Sequence, residues 1–422
     1  MKSNIGLLDC NNFFVSCERL FRPDIVHKPV IVLSSNDGCV VARSQEVKDI
    51  GIPMGVPLFQ IKDIVRKHDI VLFSSNFQLY QDISRRVMSA LKDMCGECEQ
   101  YSIDEAFFNV SAQVTEADMM AIQKQIIKKT GIPVSIGIAE TKTRAKLASK
   151  YAKTRGGVCC INPAIWDEMK TYSCGVVWGI GRTFSEQLSK SGIRTIEDFM
   201  TLDRAYIRGM FGIVGERLLM ELSGVRVYEV GCGNAHPMLE SYTSTRSFGE
   251  IVRDKHILMQ SLTFHATRVA DRMRHDACVG SRIIVILQGS RHGLYANHDK
   301  GDKKKVIQLS TPTNDPLAII RHVQKNLDSA YDPNIPYKKS GIVVQDISPS
   351  DSVTVPLFTD NSDADNQRYI YDIADTLNTR FGKGKVMPAI MSGSSQKWRE
   401  KRELLSPAYT TKWTEIPSVK AI

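Results

Sequence analysis

Apolar residues change their spacing in blocks along this chain, and the blocks predict its elements. Ile5-Gly6-Leu7-Leu8 is a short strand-like run that stops at Asp9, and Tyr101-Ser102-Ile103-Asp104-Glu105-Ala106-Phe107-Phe108 is a second, with two acids set inside it. Lys28 to Leu33 forms a short strand, Ser34 to Gly38 a turn, and Val40 to Ile50 changes to helical spacing. Asp82 to Met94 reads as an amphipathic helix with Ile83, Val87 and Leu91 on one face. Ala117 to Thr130 is helical, and Ile132 to Ile138 alternates as a buried strand. The order strand, helix, acidic strand, helix, strand predicts an α+β sheet with helices on one face.

The next helix, Thr141 to Thr154, places Lys142, Lys146 and Lys150 four residues apart, with Lys153 on nearly the same face. Like charges at that spacing repel, so the stripe is either a solvated face or is neutralised by an anion, and its place after the acidic sheet favours phosphate. Trp178-Gly179-Ile180-Gly181-Arg182 then opens a region of helices (Thr183 to Ser191, Thr195 to Leu202, Gly215 to Leu222) separated by glycine-containing turns. This is the pattern of a helix-hairpin-helix, in which backbone N–H groups at Gly179 and Gly181 approach a DNA phosphate. Phe211-Gly212-Ile213-Val214-Gly215 repeats the idea downstream.

From about residue 240 the pattern becomes strand (Thr243 to Phe248), helix (Ile257 to His275), strand (Ser281 to Gln288), strand (Lys305 to Ser310), helix (Leu317 to Tyr331), strand (Lys339 to Ile347). That βαββαβ order makes a separate small α+β domain. Its basic residues, among them Arg282, Arg291 and the loop run Lys303-Lys304-Lys305, suit a surface that tracks a nucleic-acid backbone. The last stretch is polar and contains Val353-Thr354-Val355-Pro356-Leu357-Phe358, a helix from Gln367 to Arg380, and a tail with Trp398, Tyr409 and Trp413. Aromatics on such a tail argue for docking, onto a partner or onto the body of the protein.

Composition narrows the class. The 422 residues exceed a single ordinary domain, and a formal charge of +9 favours a polyanionic partner. No apolar run approaches the roughly 18 to 20 residues of a membrane span, and Asp9 interrupts the N-terminus before a signal-peptide core. A cytoplasmic protein without membrane contact is expected. The ten cysteines are scattered rather than spaced as a disulfide framework, so free thiols are expected. Cys95-x-x-Cys98 lacks the second pair that a zinc site needs, and the nine histidines show no ligand spacing.

The acids carry the chemistry. A lone strand-terminal Asp is usually solvated, but Asp9, Asp104 and Glu105 lie in two apolar segments that look like neighbouring strands. Clustered carboxylates are stable only with a cation or a basic partner among them. Hard oxygen donors suit Mg²⁺, which shares its shell with substrate phosphates and points to phosphoryl or nucleotidyl transfer. Asn11-Asn12-Phe13-Phe14 follows Asp9 where a nucleotide sugar would lie, and one of the two aromatics reads as a core residue.

Together these motifs resemble the Y-family translesion DNA polymerases, of the UmuC type, over nearly the whole chain. The resemblance rests on Leu8-Asp9-Cys10-Asn11-Asn12-Phe13-Phe14, Ser16-Cys17-Glu18, Val32 to Arg43, Ser74-Ser75-Asn76, Tyr101 to Phe107, Gly137-Ile138-Ala139, Thr141-Lys142-Thr143, Trp178 to Gly181, Arg246-Ser247-Phe248-Gly249-Glu250, Leu404 to Pro407 and Tyr409-Thr410-Thr411. It implies an α+β multidomain right hand: palm (1–12 and 78–166), fingers (13–77), helix-hairpin-helix thumb (167–235), βαββαβ little finger (240–348) and a C-terminal extension (349–422). It further implies two Mg²⁺ ions on Asp9, Asp104, Glu105 and the Cys10 carbonyl, and Phe14 as the steric gate against a ribose 2′-OH, beside Phe13. Lys48 and Lys153 fall at the incoming triphosphate, Ala42 and Gly55 near the nascent base pair, and Gly179, Gly181, Arg246 and Arg282 on DNA.

By the same resemblance the partners are primer-template DNA, dNTPs, a UmuD′-like accessory dimer, RecA and a sliding clamp, in SOS-type mutagenesis. Phe14 stands where many relatives have Tyr, and Lys48 where archaeal relatives have Arg, which weakens a bidentate phosphate contact. Leu357 and Phe358 occupy the place of a clamp-binding motif that lacks its leading Gln. Two other classes use a similar sheet: a nucleotide cyclase, which would need neither the glycine-rich thumb nor the βαββαβ domain, and a catalytically silent DNA-binding protein. All three acids are present, which argues against the second.

Overall fold

The computed structural model describes residues 3–231, 238–290, 302–352, 362–382, 384–392 and 398–418, with the side chains of 362–368 outside the description. Residues 1–34, 38–236 and 404–422 form one compact unit, and residues 35–37 and 237–403 a second.

In chain order the first unit holds β1 (Ser3–Cys10), α1 (Phe13–Leu20), β2 (Val30–Leu33), β3 (Val40–Arg43), α2 (Gln45–Asp49), α3 (Lys62–Lys67), β4 (Val71–Ser74), α4 (Phe77–Cys95), β5 (Cys98–Gln100) and β6 (Glu105–Ser111). There follow α5 (Glu116–Thr130), β7 (Val134–Ala139), α6 (Lys142–Ala152), β8 (Val158–Cys160), α7 (Pro163–Lys170), α8 (Arg182–Lys190), α9 (Ile196–Met200) and α10 (Arg204–Leu222). A five-stranded sheet runs β5-β6-β1-β7-β8, and a three-stranded sheet runs β3-β2-β4. β1 is central because it is apolar on both faces: Ile5, Leu7 and Leu8 are fully buried, and it pairs antiparallel with both β6 and β7.

α6 lies against β7 with almost no gap. A Cβ on Gly137 would stand 2.1 Å from the Ser149 amide nitrogen and 2.4 Å from the Ala145 carbonyl oxygen, both backbone atoms of that helix. Glycine is therefore what lets α6 approach the sheet and carry its lysines to the strand ends. Gly137→Ala should cost roughly 1 to 3 kcal/mol or more by overpacking, read as a lower urea midpoint; an unchanged midpoint would mean the helix has room to move.

Three sequence expectations need correction here. Val40 to Ile50 is not one helix: Val40 and Ala42 face inward with period two as β3, pairing with β2, and only Gln45–Asp49 is helical. β-branched Val40 and Val41 favour that pleat. The acidic pair does not sit inside a strand, since β6 begins at Glu105 and residues 102–104 form a bend. Finally, Lys303-Lys304-Lys305 is not a loop but the start of an edge strand. The short elements β4, β5, α3 and α7 carry too few periodic residues to register in the sequence.

The second unit has β9 (Ser241–Val252), α11 (Lys255–His275), β10 (Cys278–Gly289), β11 (Lys303–Thr313), α12 (Pro316–Leu327) and β12 (Tyr337–Pro349), in the expected βαββαβ order, followed by α13 (Ser362–Phe381). Its four strands run β11-β10-β12-β9. Ile283, Val285 and Leu287 pack with α11 and α12 in one core, while alternate residues Arg282, Ile284 and Ile286 look the other way. Trp398 belongs to this core, so of the two docking alternatives it takes the one onto the body of the protein. The nine described cysteines are free thiols.

Candidate active site

Register brings the acids together. Asp9 lies opposite Glu105 across the β1–β6 pair and opposite Ser135 across β1–β7. The Cys10 amide donates to the Asp104 carbonyl at 2.9 Å, tying residue 104 to the same sheet end. Burial pushes the Asp9 carboxyl up to about 6; Lys153 opposes this, while Glu105 and Asp104 add to it. Burial and the same acids push the Cys10 thiol up as well.

Each acid has its own partner. Lys153 Nζ lies 2.8 Å from both Asp9 carboxylate oxygens, Lys146 Nζ lies 3.0 Å from Glu105 Oε2, and Ser102 Oγ donates to Asp104 Oδ1 at 2.6 Å. Lys146 also sits over the Tyr101 and Trp178 rings, at 4.7 and 5.5 Å. Lys142 is buried on Glu99 at 2.6 Å. Three of the four stripe lysines, Lys142, Lys146 and Lys153, are thus paired with protein carboxylates, while Lys150 is exposed. With the carboxylates so engaged, no three His, Cys, Asp or Glu side chains among the described residues stand as a formed ion cage. The donor chemistry nonetheless fits a hard divalent cation: three carboxylates share one strand end, and the raised Asp9 carboxyl would be relieved by positive charge.

Beside the acids, Asn12 takes a left-handed conformation (φ 47) at the start of α1 and accepts a hydrogen bond from Lys48 Nζ at 2.7 Å. Lys48 is in the field of Lys153, Arg43 and Asp9, and burial draws its pKa down first, with the two cations adding to that. Phe13 is a core residue, 3% exposed, whereas Phe14 stacks on Tyr80 (centroids 4.4 Å, 13°) and meets Phe77 edge-on at 5.8 Å. Tyr80 in turn donates to Glu18 Oε1 at 2.6 Å. The sequence did not single out Tyr80, Phe77, Lys146 as a carboxylate partner, or Ser102; the Ser-x-Asp spacing is the one local signal that marks any of these contacts.

Glu18 is fully buried, and burial pushes its carboxyl up to about 7 against the Tyr80 and Ser406 hydroxyls, although its Oε2 makes no formed hydrogen bond. A carboxyl whose folded value lies above its unfolded one is stabilising to protonate, so stability is lost as pH rises from about 4.5 to about 7 and the loss is complete above that. Glu18→Gln should therefore match the wild type near pH 5 and exceed it near pH 8, by on the order of 2 kcal/mol. Thermal melts at both pH values check this, and an equal difference at the two would contradict it.

The other expected residues are spread out. Ala42 is nearly buried on β3, and Gly55 turns the chain at φ 78, its amide donating to the Val40 carbonyl at 2.9 Å. Gly179 has φ 97, and Gly181 precedes the N-terminus of α8 with open space where a Cβ would be. α10 is broken at Gly212 (φ 64), within the second glycine motif. In the second unit Arg246 stacks over Phe264 at 5.0 Å and lies 3.7 Å from Glu400, while Arg282 pairs with Asp346 at 3.1 Å on the helix-free sheet face. Arg291, Leu357 and Phe358 lie outside the described residues. No described helix is long and apolar enough to cross a membrane.

Comparison with known proteins places the chain in a family. The impB/mucB/samB family matches residues 8–150, its C-terminal domain matches residues 240–357, and a domain of unknown function matches residues 370–419. The chain is 35% identical to Protein UmuC of Salmonella typhimurium over 98% of its own length and 100% of that protein, and 34% identical to Protein ImpB of the same organism over 98% of each. It is 27% identical to DNA polymerase IV of Brucella melitensis over 91% of its length and 84% of that protein. Among solved structures, a Y-family DNA polymerase chimera (Dbh-Dpo4-Dbh) aligns with a TM-score of 0.63 at 19% identity, covering 82% of this chain and 99% of that one. An insertion ternary complex of Dbh DNA polymerase aligns at 0.52 with the same identity and coverage. The right-hand polymerase fold is therefore shared, and the chain belongs to the impB/mucB/samB family of Y-family translesion DNA polymerases.

Proposed function

We propose that this chain is a DNA-directed DNA polymerase that extends a primer 3′-OH with dNTPs past damaged template bases, in SOS-type mutagenesis. The observation that carries the reading is the in-register pairing of Asp9 with Glu105, with Asp104 tied beside them and Lys153 and Lys146 contacting Asp9 and Glu105. In this reading Asp9, Asp104, Glu105 and the Cys10 carbonyl hold two Mg²⁺ ions. When bound, the ions lower the pKa of the attacking hydroxyl and take up charge on the phosphates.

The chain's own groups position the substrate. Lys153 and Lys48 lie beside the acids and would meet the incoming triphosphate, their positive charge offsetting that of the nucleotide. Phe14, held flat against Tyr80, blocks the space a ribose 2′-OH would need. Ala42 and Gly55 leave room at the nascent pair, Gly179 and Gly181 offer backbone N–H groups to a DNA phosphate, and Arg246 and Arg282 meet the backbone from the second unit. The proposed domains are palm (1–12, 78–166), fingers (13–77), thumb (167–235), little finger (240–348) and extension (349–422). A UmuD′-like dimer, RecA and a sliding clamp contacted through Leu357 and Phe358 complete the proposed partners.

Single-nucleotide insertion on four primer-templates that differ only in the templating base, plus one with an abasic site, tests this. Insertion of the complementary dNTP on each, with extension across the abasic site, is expected. Binding without insertion would return the chain to the class of silent DNA-binding proteins.

A further inference from the structure

From Leu404 onward the tail belongs to the first unit and packs beside the Phe14 stack. The Ser74 amide donates to the Leu404 carbonyl at 2.9 Å, the Leu404 amide donates to Ser74 Oγ at 3.0 Å, and Leu405 bridges Ser74 in parallel register. This ties the tail to the end of β4 by one isolated parallel bridge. Two residues on, Asn76 Nδ2 donates to Ser406 Oγ at 3.0 Å, both side chains being buried. Asn76 is also the N-cap of α4, its Oδ1 accepting the Leu79 amide at 3.2 Å, and the first turn of that helix carries Phe77 and Tyr80. Tyr409 stacks on Phe21 just past the end of α1, at 4.5 Å and 10°, and is 9% exposed. α1 carries both Phe14 and Glu18.

We infer that residues 404–409 buttress the sugar gate: the tail holds the N-cap of one helix and the end of the other, and so sets the Phe14, Tyr80 and Phe77 stack. Ribose exclusion is then a property of the C-terminal tail as well as of the gate residue itself. The inference rests on the reading of Phe14 as that gate. A tail that only stabilised the fold would change the amount of active enzyme, and dNTP and rNTP insertion would fall together. A buttress changes their ratio, because a ring freed to tilt admits the 2′-OH.

The test uses the full chain and compares kcat/KM for one dNTP and the matching rNTP. Ser406→Ala with Tyr409→Ala should raise the rNTP/dNTP ratio about tenfold, as expected when a positioning contact is lost at a distance, while Tyr409→Phe, which keeps the ring stack, should keep the wild-type ratio. Should the double variant not fold, Ser406→Ala alone deletes only a hydroxyl and should raise the ratio about threefold. In a Phe14→Ala background the tail changes should add nothing. If Phe14→Ala raises the ratio and the tail variants leave it at the wild-type value, the buttress is overturned and the gate stands. If Phe14→Ala itself leaves the ratio unchanged, the gate reading falls and takes the buttress with it.

Discussion

Asp104→Ala abolishes primer extension, by on the order of 10³-fold or more, as expected when charge stabilisation at a reacting centre is removed. The protein should still fold. Asp104 contributes its backbone carbonyl to the Cys10 amide, which alanine retains, and among the described residues its side chain bonds only to Ser102, two positions back. Asp104 is also the acid whose removal leaves both lysine pairs, Lys153 with Asp9 and Lys146 with Glu105, in place. Melting temperature and affinity for primer-template DNA should stay near wild type. Near-normal extension by this variant with Mg²⁺ alone would remove Asp104 from the reaction.

Phe14→Ala opens the enzyme to ribonucleotides. The ring is fixed by Tyr80 against one face and Phe77 at its edge, so a clash with a 2′-OH cannot be relieved by rotation. Losing it should raise rNTP relative to dNTP kcat/KM by on the order of 10² or more. Phe13, buried at 3%, is the control: Phe13→Ala leaves a core cavity and should lower stability by about 3 to 5 kcal/mol without changing the sugar preference. An unchanged ratio for Phe14→Ala, measured by single-nucleotide insertion, would place the discrimination elsewhere.

The long periodic elements were legible in the sequence because their burial is one-sided or complete: α4, α5, α6 and the βαββαβ order all follow from apolar spacing. The acids were legible because a carboxylate ending an apolar strand conflicts with burial and demands a partner. That the partners in this structure are Lys153 and Lys146 was only half visible: helical spacing showed the stripe, but only the close approach at Gly137 shows what it faces. β3 was misread because four residues, Val40–Arg43, are too few to separate a two-residue period from a helical one. The Tyr80, Glu18 and Ser406 contacts join residues 62 to 330 positions apart, and no local pattern encodes a contact of that range. For Trp398 and Tyr409 the sequence left docking onto a partner or onto the body of the protein open; the structure buries both in its own cores and leaves Trp413 90% exposed.

The central claim is that the paired acids at the end of β1 and the start of β6 form one divalent-cation site for nucleotidyl transfer. Titrating Mg²⁺ against complementary dNTP insertion by the full chain tests it most directly. The account predicts no insertion in EDTA, a saturable rise with Mg²⁺, and no rise at any Mg²⁺ concentration for Asp104→Ala; insertion that persists in EDTA, or a wild-type Mg²⁺ response from Asp104→Ala, would contradict it.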